Sequence, residues 1–279
     1  MIIEIPARVL RSVYALSLNL RTETVIAMLD SHLPLFISAL ALVLFSSMYL
    51  TAGEQAGPTP YPDTGAEKAW PGWGPIRVFA WMKENRAWFW TQRAKAQGAV
   101  VFVGDSLTGN WNAKQIAELF PNLKIANRGI GGDTSRGVLF RFQEDVLNLN
   151  PRAVVLCVGS NDLSAHGNPI ETVENISTMI ALAYKKNAKL PIVLCTVPPR
   201  DASEAPTKPG AHKDLNTRIM KFAEGKENLA LLDLFPLLSD ADGKPVPEYF
   251  AKDRLHLAPP GYKKWAEALT PVLAGLKIE

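Results

Sequence analysis

Apolar residues along this chain fall into short uncharged runs, separated by stretches in which they recur every three or four positions. The runs Ala99–Val103, Leu123–Ala126, Ala153–Val158, Pro191–Thr196 and Leu229–Leu232 are rich in Val, Ile and Leu, and only Lys124 places a charge in any of them. Strands buried on both faces have this composition, so the runs predict a parallel sheet covered by helices. Helical spacing fits Ile76–Gln97, Ala113–Phe120, Thr134–Leu147, Ile170–Lys186, Ala211–Glu224 and Gly261–Leu273, with Phe79, Met82 and Phe89 near one face of the first. Five strands alternating with helices and no internal repeat predict an α/β fold, a three-layer α/β/α sandwich on a five-stranded parallel sheet.

The pattern changes before residue 69. Leu35 to Leu50 form an uncharged apolar run, shorter than the ~20 residues of a full membrane span. It fits both the core of a cleaved signal peptide and a short anchor. Arg8, Arg11 and Arg21 lie upstream and no Lys or Arg follows until Lys68, so the main domain is expected outside the cytoplasm, either exported or anchored. Translation could begin at Met1 or Met28. Residues 1–52 are thus read as a leader, 53–68 as a Pro-rich linker around GPTPYPDTG, and 69–279 as the functional domain. Trp70, Trp73, Trp81, Trp88 and Trp90 cluster just after the linker. A carbohydrate-stacking platform is one reading; core packing with a membrane-proximal belt is the expected one.

Composition removes several classes. Of 279 residues 47% are hydrophobic and the net charge is +3, which excludes a disordered chain. Thirty basic residues against 27 acidic ones give no excess of the kind a nucleic-acid binder carries. Two cysteines form neither a disulfide framework nor a zinc ribbon; Cys157 in VLCVGS and Cys195 in VLCTVP are expected as buried free thiols on neighbouring strands.

Unusual residues gather where the strands should end. The first run leads into Gly104-Asp105-Ser106-Leu107, which puts a serine at the carboxyl edge of the sheet. It matches neither G-x-S-x-G, since Thr108 holds the second glycine position, nor a phosphate loop, since Asn110-Trp111 follow Gly109. The second run ends in Asn127-Arg128-Gly129-Ile130-Gly131-Gly132-Asp133-Thr134, where Thr134 replaces the third glycine of a dinucleotide fingerprint. Asp133 is expected to cap the next helix, leaving N–H groups free to face an anion. The third run ends in Gly159-Ser160-Asn161-Asp162, a turn that can project an amide. Near the C-terminus, Asp253 stands three residues before His256, close enough on a tight turn to orient the ring and leave Nε2 as a base. A nucleophile, oxyanion donors and an oriented base are what acyl transfer requires. His166 is expected to be solvated, and the loop Val197–Gly210, with Arg200 and Lys208, to wall the pocket.

These four blocks, in this order, resemble the GDSL/SGNH hydrolase family over roughly Ala99 to Leu273, and the wording NRGIGGDTSR resembles its branch related to platelet-activating-factor acetylhydrolase. The resemblance implies a flavodoxin-like SGNH fold, with Ser106 as nucleophile, His256 as base and Asp253 as its orienting acid. It implies an oxyanion hole made of the Ser106 and Gly132 N–H groups and the Asn161 amide, with no cofactor and no metal. The expected activity is hydrolysis of short acyl esters, acetyl above all, on a small molecule or a glycan. A lysophospholipase or thioesterase near the membrane, a non-catalytic binding module on the same fold and a flavodoxin-like nucleotide binder are the alternatives. Membrane association through residues 35–50 is open, and so is the oligomeric state.

Overall fold

The computed structural model describes residues 57–201 and 203–278. The leader, its apolar run at 35–50 and the first residues of the expected linker lie outside them. Among the described residues no helix is long and apolar enough to cross a membrane.

Five strands form the sheet: β1 Val100–Gly104, β2 Ile125–Gly129, β3 Ala153–Cys157, β4 Ile192–Cys195 and β5 Leu229–Leu232. They lie in the order β2-β1-β3-β4-β5, and every neighbouring pair is parallel. The helices are α1 Ala80–Gln92, α2 Ser106–Gly109, α3 Ala113–Leu119, α4 Ser135–Asp145, α5 Ser160–Ser164, α6 Pro169–Lys186, α7 Ala211–Ala223, α8 Leu234–Leu238 and α9 Pro259–Gly275. Alternation along β1 divides the core. Val101 and Val103 face one layer, with Val138 and Phe142 of α4, Ile176 and Ile180 of α6, and Leu215 and Ile219 of α7. Val100 and Phe102 face the other, with Ile116 of α3, Leu234 of α8 and Trp265 and Leu269 of α9. The expected three-layer α/β/α sandwich is the fold observed.

Strand order sets the position of the site. After β1 the chain passes to one side to build β2, then crosses back to place β3 on β1's other side. The connections leaving the carboxyl ends of β1 and β3 therefore part there, opening the crevice where open α/β sheets hold ligands. Gly104 ends β1 in that crevice, and a β-carbon there would stand 1.8 Å from the Cys157 carbonyl oxygen. Only glycine lets β1 and β3 stay paired up to the turn that carries Ser106.

Three expectations need correction. The first helix starts at Ala80 rather than Ile76: Phe79 is extended (φ −112°, ψ 159°), and the Pro75 carbonyl accepts from the Thr134 hydroxyl at 2.8 Å instead of from a helical N–H. Asp133 does not cap α4; Thr134 does, accepting from Gly137 N–H, while Asp133 is buried against Arg141. The tryptophans are not mainly core: Trp70 is buried, but Trp73, Trp81 and Trp88 are 63%, 47% and 57% exposed. Residues 57–68, aperiodic as expected of a linker, pack along α4 rather than hanging free. Tyr61 stacks with Trp70 and meets Phe140, and Thr59 hydrogen bonds to Glu144. Cys157 and Cys195 are buried free thiols, with the Cys157 thiol held protonated by its hydrogen bond with Cys195 and by burial.

Candidate active site

Asp105 caps α2 by accepting the Leu107 N–H at 2.9 Å, and this turn sets Ser106 at the first position of the helix, half-buried. Burial pushes the Asp105 carboxyl up to about 7, against the Leu107 hydrogen bond that lowers it. His256 arrives from the other end of the chain, 150 residues on, and its Nε2 stands 2.9 Å from Ser106 Oγ. Its Nδ1 stands 2.6 Å from Asp253 Oδ2.

The turn from Ala251 to His256 makes that geometry local. Ala251 N–H donates to the His256 carbonyl, Arg254 takes the left-handed conformation (φ 54°), and Asp253 Oδ1 accepts the N–H groups of Leu255 and His256. The loop Val197–Gly210 fastens the turn from outside, with Asp201 N–H on the Arg254 carbonyl and an Arg254–Asp201 ion pair at 3.0 Å. Burial tends to raise the Asp253 carboxyl, but the hydrogen bonds from the His256 ring, His256 N–H and Leu255 N–H outweigh it. The group titrates below the usual carboxylate range. Asp253 therefore stays ionised, and Nδ1 carries the proton that leaves Nε2 free to accept one.

The glycine-rich turn after β2 comes beside the serine: a β-carbon on Gly131 would lie 3.8 Å from Ser106 Cβ. Gly132 has φ +85°, and a β-carbon there would meet the Phe79 ring at 3.0 Å. Neither Ser106 N–H nor Gly132 N–H donates to an acceptor among the described residues. Asn161, in α5, sends Nδ2 to the Asp133 carbonyl at 3.0 Å, which ties the third block to the second. Ser106, Gly132, Asn161, Asp253 and His256 are thus brought to one edge of the sheet. His166 is exposed, as expected, and its carbonyl accepts from Lys208.

Behind the turns lies a buried charge network. Asp133 Oδ2 accepts from Arg141 Nε at 2.7 Å; Arg141 also reaches Asp145 Oδ2 at 3.4 Å and the Gly104 carbonyl at 3.1 Å, and Arg86 meets Asp145 and Glu144. Burial pushes Asp133 up to about 6 even with Arg141 holding it down. Asp162 accepts from Ser135 N–H and Oγ, and Arg200 donates to the Ser160 carbonyl and to Ser164 Oγ. The loop expected to wall the pocket is thus seen bracing the third block. Two residues that no motif marks, Arg77 and one of the clustered tryptophans, Trp81, reach the site from upstream: Arg77 Nη1 donates to Asn161 Oδ1 at 3.1 Å and Trp81 Nε1 to the Gly131 carbonyl at 2.8 Å. No spacing rule links them to residues 50 and 84 positions away. Among the described residues no group of three His, Cys, Asp or Glu could hold a metal ion.

Residues 91–264 match the GDSL-like lipase/acylhydrolase family model. The chain is 31% identical over 180 residues to subunit alpha1 of human platelet-activating factor acetylhydrolase IB, covering 63% of this chain and 76% of that one. With subunit alpha2 of the rat protein it shares 30% identity over 202 residues, 71% of this chain and 86% of that one. A GDSL-like lipase of Bacteroides thetaiotaomicron superposes with a TM-score of 0.59 at 28% identity, over 66% of this chain and 95% of that one.

Proposed function

The chain belongs to the GDSL-like lipase/acylhydrolase family, a carboxylic ester hydrolase, and from that premise we propose that it cleaves short acyl esters, acetyl esters of glycans or small alcohols above all, by a Ser106–His256–Asp253 relay. The observation that carries this reading is the continuous line from Ser106 Oγ to His256 Nε2 at 2.9 Å and from His256 Nδ1 to Asp253 Oδ2 at 2.6 Å. His256 Nε2 takes the hydroxyl proton as Ser106 Oγ attacks the ester carbonyl, and the ionised Asp253 stabilises the imidazolium. The carbonyl oxygen, now an anion, is received by the Ser106 and Gly132 N–H groups and the Asn161 amide, each worth about 3–4 kcal/mol in the transition state. Collapse expels the alcohol, which takes the proton from His256. Water, deprotonated by the same Nε2, then releases the acid and restores Ser106.

Two features favour a short acyl group. Among the loops around the site, Leu163 and Phe250 are buried in the core and Tyr249 packs against it, so their apolar surface is already used. A longer chain gains ~0.8 kcal/mol per CH₂ only where an apolar wall receives it. The aromatic surface that does stand beside Ser106 is the stacked pair Phe79 and Trp81, with centroids 4.5 Å apart, a size that suits a sugar ring better than an extended tail. On p-nitrophenyl acetate, butyrate and decanoate, kcat/KM is expected to be highest for the shortest esters. A steady climb toward decanoate would replace this reading with the lysophospholipase one.

The pH profile follows from the relay. Protonated His256 cannot accept the serine proton, so kcat/KM falls in acid, while Asp253, held below the usual carboxylate range, keeps its charge. Asp253→Asn is expected to lower kcat by about 10⁴-fold, because Nδ1 loses the acceptor that fixes the tautomer. A rate flat between pH 5 and 8 with chemistry limiting would remove His256 from the role of base. Export or anchoring of the domain outside the cytoplasm, by the apolar run at 35–50 with Arg8, Arg11 and Arg21 upstream, belongs to the same proposal.

A further inference from the structure

Asn161 is ambiguous by itself. Turning its amide over exchanges a donor for an acceptor, and a turned amide would present Oδ1 to the oxyanion. Two contacts remove the ambiguity. The Arg77 guanidinium, which can only donate, lies on Oδ1 at 3.1 Å; the Asp133 carbonyl, which can only accept, lies on Nδ2 at 3.0 Å. Only one orientation satisfies both, and it leaves the second Nδ2 hydrogen for an incoming anion.

Gly132 is held in a comparable way through its peptide bond. The Gly131 carbonyl and the Gly132 N–H belong to one planar trans unit and point in opposite directions. The Trp81 indole N–H on that carbonyl, at 2.8 Å, therefore sets where the Gly132 N–H points and polarises it. Glycine at 131 and 132 otherwise leaves this turn the freest backbone of the site. Phe79 stacks on the indole within 15° of parallel and lies against Gly132, which holds the tryptophan in place. The extended backbone at Phe79, where helical spacing had suggested α1 would already have begun, lets Arg77 and Trp81 reach the site together. The stretch 76–81 lies upstream of the residues matched by the family model, which begin at 91.

We propose that Arg77 and Trp81 are positioning residues that preset the Asn161 and Gly132 oxyanion donors, so that a segment outside the family-matched region sets kcat. The proposal rests on the oxyanion reading given above. It is tested in the full chain with Arg77→Ala, Arg77→Lys and Trp81→Phe, the last removing the indole N–H and keeping a ring. On p-nitrophenyl acetate, Arg77→Ala and Trp81→Phe should each lower kcat on the order of 10-fold with little change in KM, the mark of an interaction made in the transition state. Arg77→Lys should recover part of the loss. The affinity of a boronic acid, whose tetrahedral adduct with Ser106 mimics the intermediate, should fall by the same factor as kcat/KM, with the thermal midpoint unchanged. In an Asn161→Ala background Arg77→Ala should cost nothing more, because its target is gone, whereas Trp81→Phe should keep its full effect through Gly132.

Equal losses from Arg77→Ala with and without Asn161, or a loss confined to KM, would overturn the proposal and make Arg77 a substrate contact. Asn161→Ala alone should cost about 10²–10³-fold in kcat. If it does and Arg77→Ala and Trp81→Phe leave kcat intact, this inference fails by itself; if Asn161→Ala keeps the parent kcat, the oxyanion reading falls and takes the inference with it.

Discussion

Replacing Ser106 by Ala should reduce kcat on p-nitrophenyl acetate by on the order of 10⁵–10⁶-fold while the protein melts at the parent temperature. The substitution deletes one oxygen, whose hydrogen bond runs to His256 Nε2, and leaves the Asp105 cap and the buried Leu107 and Thr108 of α2 as they are. No other hydroxyl in the described site lies against the imidazole, so no second nucleophile can take over. What remains should be the weak hydrolysis that the oxyanion donors support with water alone. Measuring burst and steady-state release beside a melting curve checks both halves. A variant that turns over within tenfold of the parent at an unchanged midpoint would remove Ser106 from the mechanism.

The second large effect lies behind the site. Arg141→Met should cost about 3–5 kcal/mol of stability, because it strips the partner from two carboxylates that have almost no access to water. Asp133 loses its 2.7 Å ion pair, Asp145 loses Arg141 and keeps its ion pair with Arg86, and the Gly104 carbonyl, where β1 turns toward Ser106, keeps the Ile130 N–H but loses the guanidinium. In a domain of this size that loss corresponds to a melting point lower by about 6–20 °C. The pH dependence has a definite sign. Burial already raises Asp133 to about 6 with Arg141 present, and without it the folded-state value climbs further above the unfolded one. The folded variant then holds more protons than its unfolded chain, so its stability falls as pH rises, and the gap to the parent should narrow at pH 5 and widen at pH 8. Melting curves at the two pH values decide it; a loss under 1 kcal/mol that ignores pH would mean the network contributes little.

The five strands were legible as short apolar runs: β1, β3 and β4 are buried on both faces, a demand met by local composition alone, while the edge strands β2 and β5 are partly exposed yet keep an apolar run. All five appear within three residues of their expected bounds, and β5 on them. The local geometry of the candidate site was legible for a related reason. The Asp105 cap before Ser106 and the Asp253 carboxylate on the Leu255 and His256 N–H groups are turns closed within three residues. Such motifs carry their geometry in the sequence.

What the tertiary structure alone decided are choices that neighbours in sequence could not make. Asp133 and Thr134 are both good helix caps, and burial of Arg141 against the first left the second to do the capping. Helical spacing ran on from Gln97 back to Ile76, and the pull of two distant acceptors, the Asn161 amide and the Gly131 carbonyl, is what the extended stretch before Ala80 answers to. The tryptophans looked alike in the sequence, yet Trp70 closes the core while Trp81 stands exposed beside the glycine-rich turn at Gly131. Local pattern fixes which backbone conformation a residue prefers and whether it can be buried at all. Which partner it meets depends on how chain segments 50 to 150 residues apart are packed, and that is a property of the folded sheet and its crevice.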